Sequence, residues 1–140
     1  MDAIAFRVAG LWGAWLLVML FHVELGLMPL FHGLSVEIKS RISPQRIPSV
    51  FTAMMCYFLL PVMAMILALH AASDPSSWSA HRPWRAIQLV LSLVYSLTNV
   101  GHLVADIIIP DSRFDQVVLM GVLVLIGLLL NLELWSWWRA

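Results

Sequence analysis

Charged residues are scarce in this sequence. Only 11% of its 140 residues are Asp, Glu, Lys or Arg, whereas 61% are hydrophobic. A soluble globular domain is about half apolar and about a quarter charged. A chain of this composition has more apolar surface than a soluble core can bury, so the surplus must face lipid. The composition therefore excludes an ordinary soluble domain.

The sequence also has no excess of charge of either sign, only one cysteine and none of the common catalytic motifs. Eight basic and eight acidic residues leave no net charge, which excludes a basic surface for nucleic acid. The single cysteine, Cys56, excludes an internal disulfide. The sequence contains no GxGxxG, phosphate-binding loop or HExxH pattern. The nucleotide-binding and zinc-protease classes that carry these motifs are therefore not indicated.

Four long apolar runs dominate the rest of the sequence, each of about 20–25 residues, the length that crosses a bilayer as a helix. They are residues Ile4–Leu30, Val50–His70, Ala86–Ile109 and Phe114–Trp138. Open strands cannot satisfy their edges in lipid. We therefore predict an all-α integral membrane protein, in which residues 1–140 form one antiparallel bundle of four transmembrane helices. An even number of crossings places both termini on the same side, and we expect a bacterial-type plasma membrane.

The connection between the first two runs has a pattern of its own. Leu34, Ile38 and Ile42 recur every four residues, and Glu37 and Arg41 form an i,i+4 pair of opposite charge. This predicts a short amphipathic helix lying on the membrane surface.

Tryptophans cluster near the termini and the second connection. Five lie near the membrane interface on that side, namely Trp78, Trp84, Trp135, Trp137 and Trp138, whereas Trp12 and Trp15 lie deeper along the first helix. Tryptophan is enriched at the headgroup level of membranes, so this distribution predicts an aromatic belt at one interface.

A stripe of six polar residues follows the third run, spaced alternately by four and three. Its members are Gln88, Ser92, Tyr95, Asn99, His102 and Asp106. This spacing places them on one helix face, and that face must turn towards other helices or a water-filled cavity. Two interpretations are open, an interhelical hydrogen-bond ladder and the wall of a ligand site.

Ionisable residues from the first and third helices should meet at one depth. His22 and Glu24 lie near the end of the first run, and His102 and Asp106 lie near the end of the third. Because both ends approach the same side of the bilayer, the four side chains form a candidate site. Two imidazoles and two carboxylates suit a divalent metal ion, whereas two histidines on facing helices can ligate haem.

The two first-helix candidates cannot both point inward. His22 and Glu24 are two residues apart, or about 200° around a helix. Glu24 shares its face with Gly10 and Gly13, a small-residue face suited to close packing. The sequence therefore favours Glu24 as the inward ligand, beside the third-helix pair. We expect an oxygen of Glu24, or failing that a nitrogen of His22, about 4–7 Å from His102.

The layout of four short helices with polar residues on the first and third resembles the EXPERA domain of sterol isomerases and sterol-binding proteins. That resemblance implies a lipid pocket and proton-shuttling carboxylates. The sequence departs from it in the second run, Val50–His70, which contains no carboxylate.

Three hypotheses for the function are open. The first is a membrane protein that binds a metal or haem at the His/carboxylate site. The second is an accessory or structural subunit of a larger membrane complex, or a homo-oligomer, in which the stripe fixes helix packing. The third is a small lipid-binding or isomerase-type protein. In all three, the lipid bilayer is a partner and nucleic acid is not.

Overall fold

Four long helices form the protein. The computed structural model describes residues 2–35, 42–108 and 113–140, and in these ranges the helices are α1 (Ala3–Phe31), α2 (Ile47–Ser73), α3 (Arg82–Ile108) and α4 (Phe114–Arg139). Short 3-10 turns at Pro44–Arg46 and Trp78–Ala80 precede α2 and α3. All four helices are long and apolar enough to cross a membrane, which confirms the predicted four-helix membrane bundle.

The predicted helix limits agree closely with the structure. The largest difference is at the start of α3, which begins at Arg82 rather than Ala86. The predicted surface helix between α1 and α2 rests on residues 36–41, which lie outside the described ranges.

Helix packing is close in three pairs, α1 with α2, α1 with α4 and α3 with α4. In contrast, α2 and α3 meet through side chains. The hydroxyls of Tyr57 and Thr98 lie 3.2 Å apart, and the Tyr95 hydroxyl donates to the Tyr57 carbonyl. The α2–α3 side is therefore the loosest side of the bundle.

Asp2 joins three helix ends. Its Oδ1 caps α1 by accepting from the backbone N–H groups of Ile4 and Ala5, at 2.9 and 3.2 Å. Its Oδ2 accepts from the indole N–H of Trp137 at 2.8 Å, and its own N–H donates to the Ala72 carbonyl at 3.0 Å. One N-cap residue thus ties α1 to the ends of α2 and α4.

Aromatic side chains fill the centre of the bundle, among them the two tryptophans that lie deeper along the first helix. Trp12 and Trp15 are fully buried. The Trp12 indole donates to Gln88 Oε1 at 3.2 Å, and the Trp15 ring meets the Tyr95 ring edge to face at 5.1 Å. Large rings are needed here because α1 and α3 do not pack backbone to backbone.

The polar stripe of α3 faces inward, as predicted, at five of its six positions. Those buried are Gln88, Ser92, Tyr95, Asn99 and Asp106. Ser92 Oγ donates to Asn131 Oδ1 at 2.6 Å, and Asn131 Nδ2 donates to Ser96 Oγ at 2.9 Å. The stripe thus forms part of a hydrogen-bonded seam with α4. His102 is the exception, because its side chain is 51% exposed.

Candidate metal centre

Three ionisable side chains converge between α1 and α3. His22, His102 and Asp106 each offer one ligand atom, and these three atoms all lie within 4.8 Å of one another. His102 Nε2 is 3.6 Å from Asp106 Oδ1. The two imidazole rings meet edge to face, with centroids 5.2 Å apart and planes at 89°.

Local helix geometry accounts for the α3 half of this group. His102 and Asp106 are separated by one helical turn, so their side chains lie on the same face. Asp106 is 7% exposed, whereas the His102 side chain is half exposed. The pair therefore has one inner and one outer member.

On α1, His22 is the residue that faces the interior, and the prediction that Glu24 points inward is wrong. His22 is 7% exposed, whereas Glu24 is exposed and lies outside the group of three. The buried face of α1 carries Trp12, Trp15 and Met19, and His22 follows Met19 at the next helical repeat. Because these bulky side chains fill the interior, the alternative of a His22 nitrogen near His102 is the one the structure shows.

The face with small residues has a lesser role than its composition indicated. A Cβ on Gly13 would meet only Met65 Sδ, at 3.4 Å, and a Cβ on Gly10 would meet no atom within 4 Å. Burial of large rings outweighs close approach of glycines in fixing how α1 is rotated.

Asp106 holds an oxygen without a partner. Its Oδ2 is buried and accepts no hydrogen bond from the residues that the structure describes, and the side chain is nine-tenths buried. Leaving a buried polar atom unpaired costs about 1–3 kcal/mol. Such an atom beside two imidazoles is suited to a cation.

The part of α2 that precedes its contact with α3 is exposed. His102 lies one turn beyond Thr98, the α3 residue that contacts Tyr57 of α2. One turn before Tyr57, Ala53 is exposed, and so are residues 47–49 and 51–56 of α2. His102 and this part of α2 are therefore both exposed, each on the same side of the Tyr57–Thr98 contact.

Gln116, at the start of α4, supports His22 and was missed by the sequence analysis. In the amide orientation that satisfies its neighbours, Nε2 donates to His22 Nδ1 at 2.9 Å and to the His22 carbonyl at 3.2 Å. Its Oε1 accepts from the Gly26 N–H at 3.2 Å. No periodic signal marks this residue, because its partners are about ninety positions earlier in the chain.

Arg113, the residue just before α4, stabilises the same part of α1. Pro29 has no N–H, so the carbonyl of Leu25, four residues earlier, lacks its helical donor. Arg113 Nη1 donates to this carbonyl at 3.0 Å, and its Nε and Nη2 contact Asp115 at 3.0 and 2.6 Å. The proline was the available sequence signal, because it identifies Leu25 as a carbonyl in need of a donor.

Comparison with protein-family models, curated proteins and solved structures finds no match to this chain. The ligand chemistry follows from the three residues themselves. Two imidazoles and a carboxylate are ligands of borderline divalent ions, and imidazole in particular suits Zn, Cu, Fe and Ni.

Proposed function

We propose that this multi-pass membrane protein binds a divalent transition-metal ion through His22, His102 and Asp106. One observation carries the proposal. The three ligand atoms lie within 4.8 Å of one another, and the carboxylate among them has a buried oxygen without a partner.

The separations suit an ion after a small adjustment. Ligand atoms at 2.0–2.2 Å from zinc lie roughly 3–3.5 Å from each other. His102 Nε2 and Asp106 Oδ1, at 3.6 Å, are already close to this spacing. The half-exposed His102 ring has room to move closer to the other two ligands, since one edge has no close cover.

Three protein ligands leave a coordination position open. Structural zinc sites are usually closed by four protein ligands, whereas catalytic sites keep a place for water or substrate. Here the exposed edge of His102 leaves one side of the group uncovered. The proposed centre is therefore of the open type, with His102 as its exposed ligand.

An ion fits the group better than haem does. A haem held by two histidines needs a flat slot between the ligating nitrogens, wide enough for the macrocycle. In this structure the His22 and His102 rings contact each other edge to face, and Asp106 occupies the same small volume.

A second candidate function is that of a subunit in a larger membrane assembly. The observation in its favour is the low burial of α2. Only 11% of its most apolar stretch is buried inside the bundle, against 28–33% for the other three helices. A pull-down in mild detergent tests this candidate, since recovery of stoichiometric partners would support it and a lone chain would contradict it.

Metal titration tests the main proposal. The purified protein in detergent should bind one equivalent of Zn²⁺, measured by calorimetry and elemental analysis. Loss of a residue that only hydrogen-bonds a metal ligand weakens binding about 10–100-fold. Because His102→Ala removes a ligand itself, it should weaken zinc binding by a larger factor.

His32→Ala is the matched control, because His32 is an exposed histidine just beyond the same end of α1. It should leave zinc affinity unchanged and the stoichiometry at one. A wild-type protein that takes up no zinc, together with a His102→Ala variant that loses only stability, would overturn the proposal.

A further inference from the structure

The bond from Gln116 decides which nitrogen of His22 carries the proton. A neutral imidazole has one N–H and one lone pair. Gln116 Nε2–H donates to Nδ1 at 2.9 Å, so the lone pair of His22 is at Nδ1 and its proton is on Nε2. In this arrangement Nε2 of His22 is a hydrogen-bond donor. Because the Nδ1 lone pair accepts from Gln116, neither nitrogen has a free lone pair for a metal.

The amide has three partners that fix its orientation together. It donates to His22 Nδ1 and to the His22 carbonyl, and it accepts from the Gly26 N–H. Turning the amide over would place its oxygen against that carbonyl and its NH₂ against that N–H, and would gain only a long contact of 3.4 Å from Nε2 to Asp115 Oδ2. Because Gln116 is 8% exposed, little water is available to compensate.

We propose that Gln116 is the positioning residue of the centre, and that it holds metal-free His22 as the Nε2–H tautomer. The part of this inference that concerns metal rests on the proposed function. Nδ1 is too close to the Gln116 amide for an ion at about 2.0–2.1 Å, so the ion binds Nε2.

Metal binding then requires a coupled change at two side chains. The Nε2 proton of His22 is lost from that nitrogen and one proton is gained at Nδ1, so the imidazole stays neutral. The Gln116 amide turns over, so that its Oε1 accepts from the new Nδ1–H, and it gives up its bonds with the His22 carbonyl and the Gly26 N–H, a loss that the metal bond to Nε2 must offset. In its turned orientation Gln116 orients the ligand, as outer partners of metal-bound histidines commonly do.

The tautomer can be measured without any metal. In ¹⁵N-histidine-labelled protein stripped with a chelator, the His22 resonances, assigned by their loss in His22→Ala, should show Nε2 protonated and Nδ1 unprotonated. Gln116→Met removes the donor while keeping a similar volume, and it should abolish this preference. A wild-type His22 protonated at Nδ1, or an unchanged spectrum in Gln116→Met, would overturn the inference.

Zinc affinity provides the second measurement. Gln116→Met should weaken binding about 10–100-fold, because the ligating imidazole loses the acceptor at Nδ1–H. Gln116→Glu should restore it, since a carboxyl group offers an acceptor oxygen in either protonation state. Equal affinity in Gln116→Met and wild type, or failure of Gln116→Glu to restore binding, would contradict the metal-linked step. If wild type binds no zinc, the proposed function fails, while the metal-free spectrum still decides the role of Gln116.

Discussion

Replacing Asp106 by leucine separates a ligand from a structural partner. If Asp106 is retained to bind a cation, its carboxylate destabilises the metal-free protein, and leucine should raise the free energy of unfolding. If Asp106 instead stabilises the bundle, leucine should lower the free energy of unfolding. The two readings predict opposite signs for the change in the free energy of unfolding.

The magnitude follows from the contacts of Asp106. Its unpartnered, buried Oδ2 costs about 1–3 kcal/mol, a cost that leucine removes. The opposing loss is the 3.6 Å contact with half-exposed His102, worth at most about 1 kcal/mol. We therefore expect metal-free Asp106→Leu to be as stable as wild type or up to about 3 kcal/mol more stable.

Zinc should reverse that order. At a free zinc concentration of about 100 times Kd, wild type gains about 2.7 kcal/mol by linkage, whereas the variant gains none. Unfolding by SDS in mixed micelles, with chelator and with zinc, measures both differences. A loss of more than about 1 kcal/mol in the metal-free variant, with no zinc response in wild type, would refute the reasoning.

Asp74→Leu is the contrasting control, because Asp74 is an exposed carboxylate with good partners. Its Oδ1 accepts from the N–H and hydroxyl of Ser76 at 3.0 and 2.6 Å, and these bonds lower the pKa of Asp74. Leucine at this position should destabilise the protein slightly and leave the zinc response intact.

Two further predictions concern the helix contacts that hold the centre. Gly127→Ala should cost about 1 kcal/mol in the same SDS assay, because a Cβ there would lie 2.8 Å from Ser96 Oγ and would turn this hydroxyl away from Asn131 Nδ2, whereas Gly121→Ala, with open space around it, should be nearly neutral. Arg113→Met should raise amide hydrogen exchange at the end of α1 about tenfold, because the Leu25 carbonyl loses its donor, and unchanged exchange would contradict that role.

Features set by neighbours in the chain were predictable. Hydrophobic length gave the four helices to within a few residues, because a span must match the bilayer whatever it packs against. The alternating spacing on α3 identified an inward stripe, because unpaired polar groups are costly in lipid. The pairing of His102 with Asp106 also follows from helical spacing alone.

Features set by partners distant in the chain were not predictable. Gln116 contacts His22 only after α1 and α4 pack together, so neither segment shows the bond in its own pattern. The exposure of His102 depends on which neighbouring helices cover it, which the periodicity of α3 does not encode.

The sequence by itself thus determined a membrane bundle and the depth at which histidines and carboxylates meet. Only the tertiary structure decided that His22 rather than Glu24 faces His102. Successive residues are 100° apart on a helix, so the choice depends on the rotation of α1 about its axis. That rotation is fixed by burying Trp12 and Trp15 against the other helices, an energy that belongs to the assembled bundle and to no single segment.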